Sequence, residues 1–169
     1  MFASIKRKVR EIGTISTLCT VAEKHALAAG QQQPGAEHFL LAALELPDGA
    51  ARRAFERAGA DAQQFSGAIE RQYREALQGV GVDSSVLEDE AQAVPAAAGV
   101  YRAQPSGQAV MQRLAEQRTP ETPLSGAHVV LAVASSEHGV APRALRAMGV
   151  NRERLLSAAR TEIEMLAIK

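Results

Sequence analysis

His38 and His128 sit 90 residues apart inside two similar phrases, GAEHFLLAAL at Gly35–Leu44 and SGAHVVLAVA at Ser125–Ala134. Histidine is the commonest metal ligand and a frequent general acid or base, so both are first candidates for chemistry. A zinc site asks for several ligands at short spacing, as in H-E-x-x-H. Neither histidine has such a neighbour, and His25 and His138 stand alone as well. The pair therefore reads as packed side chains that fix the start of two equivalent helices. Cys19 is the single cysteine and lies between Leu18 and Ala22 on an apolar stripe, where a free thiol behaves as a small hydrophobe. No G-x-S-x-G elbow and no Ser/His/Asp set stand out. The expectation is a chain with no catalytic residue, no metal and no cofactor, and not an enzyme.

Charged residues are the second source of candidate sites. Arg53 and Arg143 occupy the same slot of the two phrases and are placed either to reach a partner carboxylate or to tie helix ends within each half. Lys6, Arg7, Lys8 and Arg10 interleave with Phe2, Ile5, Val9 and Ile12 at helical spacing. That fits a short amphipathic helix within residues 1–13, docked on the rest of the protein with its charges in water. The acidic run Glu88, Asp89 and Glu90 reads as a solvated loop.

These side chains need a scaffold, and the totals bound it. The chain has 169 residues, 46% of them hydrophobic and 22% charged, with 19 basic and 19 acidic groups. A formal net charge of zero gives no global attraction to nucleic acid or anionic membrane. No run of about 18 apolar residues is present to span a bilayer, and the N-terminus lacks the apolar core of a signal peptide. A lone cysteine suits a reducing compartment, so a cytoplasmic protein is expected. Aromatic residues are 4% of the chain, alanine is abundant, and no alternating strand pattern occurs. The fold class expected is all-α.

Aligning His38 with His128 holds register without a gap for 25 positions, with eight identical pairs that include Gly49/Gly139, Arg53/Arg143 and Gly59/Gly149. An internal duplication accounts for this. Each copy reads as four helices. In the first, Ile15, Leu18, Cys19, Ala22, Ala26 and Ala29 form an amphipathic stripe ended by Gly30. A short, almost wholly apolar helix over about residues 37–44 should be central. A third runs from Ala50 to Ala58 and stops at Gly59. Asp61, with Gln64 three places on, should cap a fourth that buries Phe65, Ala68, Ile69, Tyr73 and Leu77. In the second copy the helices are expected at residues 106–118 and 128–134, then one with Pro142 in its first turn and Gly149 after it, and a last one capped by Asn151. The organisation expected is an N-terminal basic segment at 1–13, a first repeat at 14–77, a linker at 78–105 and a second repeat at 106–169.

A helix ending near Gly, then x-E-H-hydrophobic-L-L-A-L, a Gly-containing turn, a short helix and G-x-D, all occurring twice, resembles the N-terminal repeat domain of the Clp unfoldases. The residues carrying it are Ala22, Ala26, Gly30, Glu37 to Leu44, Gly59 and Asp61, then Ala127 to Val133, Gly149 and Asn151. The resemblance covers about residues 14–166. It implies two pseudo-twofold-related four-helix repeats packed into one globular domain. It also implies a protein- or peptide-binding module that recruits, or competes for, substrates and adaptors of a Clp chaperone-protease. No G-x-x-x-x-G-K-[ST] phosphate loop occurs in the sequence, so the chain looks like a free-standing relative without the ATPase modules. In some family members the Glu of each E-H pair contacts phosphorylated arginine. Glu37 matches that position, whereas the second copy has Ala127, and the usual preceding Thr is replaced by Ala36 and Gly126. The residues implied for partner or phosphoarginine contact are Glu37, Arg53 and Arg143, and the partners are clients, adaptors or a Clp ATPase, with no nucleic acid and no membrane. Some Clp N-domains are targets of cyclic-peptide antibiotics, so the alternative implied is a decoy that sequesters such a molecule.

Overall fold

Every regular element in the computed structural model, which describes residues 2–81 and 102–168, is a helix. They are α1 (Phe2–Ala28), α2 (Ala36–Glu45), α3 (Ala50–Arg57), α4 (Gln64–Gly79), α5 (Pro105–Gln117), α6 (Gly126–Ala134), α7 (Val140–Ala147) and α8 (Arg152–Ala167). The acidic run Glu88–Glu90, with Pro95 and Gly99, lies outside the described residues. Of the stretch expected as a linker, Gln78 and Gly79 end α4 and Pro105 opens α5.

The basic N-terminal segment is not a separate helix docked on the bundle. It is the first part of α1, a single helix of 27 residues. A change from basic to apolar composition does not break a helix, and Gly13 alone costs only about 1 kcal/mol. Ile5, Val9 and Ile12 are 56%, 64% and 67% exposed. The helix approaches the bundle with another face, on which Glu11, Leu18, Ala22 and Ala26 are buried. Arg118, just past α5, holds Glu11 at 2.6 Å. That commitment turns the Ile5–Val9–Ile12 face away.

Helices α2 and α6 are central. Both are buried over most of their length, and they pack on each other, as nearly all-apolar helices must. Around them, α1 packs on α2, and α5 on both α2 and α6. The third and fourth helices of each half cross over: α3 packs on α8 and α4 on α7. Phe39, Phe55, Phe65, Leu40, Val129, Val130, Val133 and Leu155 are fully buried, each stabilising the fold by roughly 1.5–3 kcal/mol. Phe55 meets Phe65 edge to face, with ring centres 6.4 Å apart.

Equivalent turns close in the same way. Gly59 and Gly149 both have φ of +73°, a left-handed conformation that side chains resist. Each opens a C-terminal cap in which Ala60 N–H donates to Phe55 O at 2.9 Å and Val150 N–H to Leu145 O at 3.0 Å. Asn151 caps α8 by accepting from Arg154 N–H at 2.9 Å. Asp61 accepts from Gln63 N–H at 2.9 Å, but residues 62 and 63 form a turn first, so α4 starts at Gln64.

Candidate functional site

The paired histidines stand at the third position of α2 and α6 and act on the backbone. Gly35 N–H donates to His38 Nδ1 at 2.9 Å, and Ser125 N–H to His128 Nδ1 at 3.2 Å. Each ring thus satisfies a donor that a helix start would leave unpaired. On the far side of His38, the Tyr73 hydroxyl lies 3.4 Å from Nε2 and donates to Glu37 Oε1 at 2.5 Å. Burial raises the Tyr73 pKa, and its bond to Glu37 raises it further. Glu37 is 2% exposed, and its carboxylate lies against Gly35, where an added Cβ would come within 2.8 Å. Its carboxylate is therefore enclosed, with Tyr73 over one oxygen.

Asp48, in the turn before α3, serves two helices. One carboxylate oxygen accepts from Ala50 N–H at 2.7 Å and the other from Gly126 N–H at 3.1 Å, at the start of α6. A carboxylate is favoured at both positive helix ends.

Arg53 and Arg143 are aligned by the 90-residue offset but do not share an environment. Arg53 Nε donates to Glu162 Oε2 at 2.8 Å, and Nη1 to Asp48 O at 3.0 Å. Arg57 Nε takes the other Glu162 oxygen at 2.5 Å. Burial alone would raise the Glu162 pKa, but the hydrogen bonds and charges of Arg57 and Arg53 outweigh it and hold the carboxyl below the usual range. Arg53 therefore belongs to a clasp between α3 and α8. Under the 90-residue offset Glu162 corresponds to Gln72 and Arg57 to Ala147, so α4 offers α7 no carboxylate there. Among the described residues Arg143 has no hydrogen bond or ion pair from its side chain.

Arg143 lines an open pocket of about 440 Å³ formed by the end of α6, the loop after it, α7 and the start of α8. Pro142, Leu145 and Val150 give it apolar walls, and Arg143, Arg146 and Arg152 give it cations. Arg152 is committed to the end of α6: it donates to Ala134 O at 2.8 Å and Ser135 O at 3.1 Å, and pairs with Glu137 at 3.4 Å. Arg146, one turn from Arg143, has no side-chain partner among the described residues. Two uncommitted guanidinium groups beside apolar walls suit a carboxylate or other anion carried next to an apolar group.

The three residues implied for contact are not gathered in one place. Glu37 is enclosed at the start of α2, Arg53 is in the α3–α8 clasp, and Arg143 faces the pocket. Arg146 and Val150 were not singled out from the sequence. The signal available was the 90-residue register carried past residue 62, which sets Gln72 against Glu162, and it becomes readable only once Glu162 is known to hold Arg53. Among the described residues no helix is long and apolar enough to cross a membrane.

The chain matches the family model of the Clp repeat (R) N-terminal domain over residues 17–117, from within α1 to the end of α5. No curated protein matches it.

Proposed function

Since the chain belongs to the Clp repeat N-terminal domain family, whose domains are non-catalytic interaction modules of Clp systems, we propose that it binds proteins or peptides without chemistry. It recruits clients or adaptors to a Clp chaperone-protease, or competes with that machine for them. The twofold arrangement of two four-helix copies is part of the proposal, supported by the matching glycine caps and the crossed packing of α3 on α8 and α4 on α7.

The observation that carries the reading is the pairing of Arg143 and Arg146, uncommitted, with the apolar walls of one pocket. The partner element it suits is a short segment with an acidic group beside an apolar side chain. Contact with phosphoarginine at Glu37 is a separate matter, and requires Tyr73 to release the carboxylate it now covers.

Immobilised full-length chain should retain Clp ATPase, adaptor or client proteins, and acidic–apolar peptides. The double variant Arg143→Glu/Arg146→Glu should weaken peptide binding by about tenfold or more, as reversal of paired charges at a contact does. Retention of nothing, or retention indifferent to that variant, would reject the proposal. Stabilisation by cyclic peptides but by no linear peptide or protein would replace it with the decoy reading.

A further inference from the structure

The face of α1 formed by Ile5, Val9 and Ile12 is exposed among the described residues and precedes the family match, which begins at residue 17. At 100° per residue these three side chains fall within an arc of about 60°. They follow the four-then-three spacing of a coiled-coil seam, with Ile5 and Ile12 at d and Val9 at a. Lys6 then occupies e and Lys8 g, the two positions whose charges select a partner helix. Both lysines are exposed, and neither has a side-chain partner among the described residues. The first turn of α1 contains no acidic residue, and Glu11, the nearest one, is buried and paired with Arg118.

We infer that this seam docks a partner helix that carries apolar a and d residues and Glu or Asp at its e and g positions. The charges argue against a second copy of the chain, because the charged e and g residues of this seam are both lysine, so a copy would bring no carboxylate to pair with them. The width argues against a lipid surface, because a helix lying in a bilayer interface submerges a broad apolar face. Here a basic residue stands on each side of a narrow one. Specificity comes from the two lysines and adhesion from the three aliphatic side chains.

The test uses the full-length chain and a labelled synthetic heptad peptide with Ile at a, Leu at d and Glu at every e and g. Its twin has Lys at e and g. Fluorescence anisotropy should show saturable binding of the Glu peptide and binding about tenfold weaker for the Lys peptide at low salt. That gap should shrink toward 1 M salt, where the screening length is about 3 Å. Val9→Asp and Ile12→Asp should abolish binding while thermal unfolding stays unchanged, since both sites are exposed. Lys6→Glu/Lys8→Glu should reverse the preference between the two peptides. Equal binding of both peptides, or none, overturns the inference. So does binding to phosphatidylglycerol vesicles that the Glu peptide cannot displace, and so does a Val9-dependent dimer in sedimentation equilibrium.

Discussion

An imidazole Nδ1 that accepts a backbone N–H must be unprotonated, so the neutral ring with its proton on Nε2 is the form that fits at His38 and His128. At His38 that proton points to Tyr73, whose own hydroxyl proton goes to Glu37. Burial lowers the pKa of both rings, opposed by Glu37 at His38 and by Asp48 at His128. The unfolded chain therefore takes up protons near the ordinary value of about 6.5 that the folded state refuses. The contribution of the rings is complete above that value and declines as pH falls toward the lowered folded values. Urea unfolding between about pH 7.5 and 5.5 should show stability decreasing with acidification. The double variant His38→Gln/His128→Gln should be less stable at neutral pH, by about 1–3 kcal/mol for each buried amide it leaves poorly paired, and its pH slope should be shallower. An unchanged slope would mean that other groups set the acid response.

Between elements, the α3–α8 clasp and the approach of α5 to α2 are the sensitive contacts. Glu162 is 2% exposed, while Arg53 and Arg57 are 46% and 43% exposed, so the carboxylate depends on the arginines more than they depend on it. Arg53→Ala/Arg57→Ala should cost about 3–5 kcal/mol by stranding a buried charge, and adding Glu162→Leu should restore part of the loss. A calorimetric Tm that falls further with the third substitution would contradict this. Gly107 in α5 sits where a Cβ would come within 2.5 Å of Pro34 O and 3.0 Å of the Phe39 ring. Gly107→Ala should therefore destabilise by about 1–3 kcal/mol despite alanine's helix propensity. Gly67→Ala, at an exposed site in α4 with nothing within 4 Å, should stabilise by about 0.5–1 kcal/mol. These contacts also mark the limit of what the sequence discloses. The glycine caps, the Asn151 cap and the central helices were legible because they follow from local conformation and periodicity. The different fates of Arg53 and Arg143 were not, because Glu162, which holds Arg53, is 109 residues away on the opposite half. Nor was the exposed seam of α1, because spacing shows an apolar stripe but not which face the bundle takes.

For the molecule as a whole, the crossed pairing makes each half depend on the other. α3 reaches its own half chiefly through α2, and otherwise packs on α6 and α8; α4 packs on α7 with few contacts to α2. A chain ending at Gly81 would keep α1 on α2 but expose the faces of α3 and α4 around Phe55, Ala54, Ile69 and Ala68, all buried in the intact protein. An isolated unit of this size buries only about 60% of its surface even when its own contacts are complete, and here they are not. The fragment of residues 1–81 should therefore show reduced helical circular dichroism and no cooperative urea transition. Mixing it with the fragment 102–169 should recover both, at micromolar concentration or above, because the surfaces that cross over are those the two pieces would bury against each other. Cooperative unfolding of the 1–81 fragment alone, with a denaturant dependence in proportion to its length, would show that the halves are independent and that the crossing adds little. If the fragments instead fold only together, the binding proposed at the α7 pocket should be sensitive to anything that loosens α4, since α7 rests on that helix from the first half.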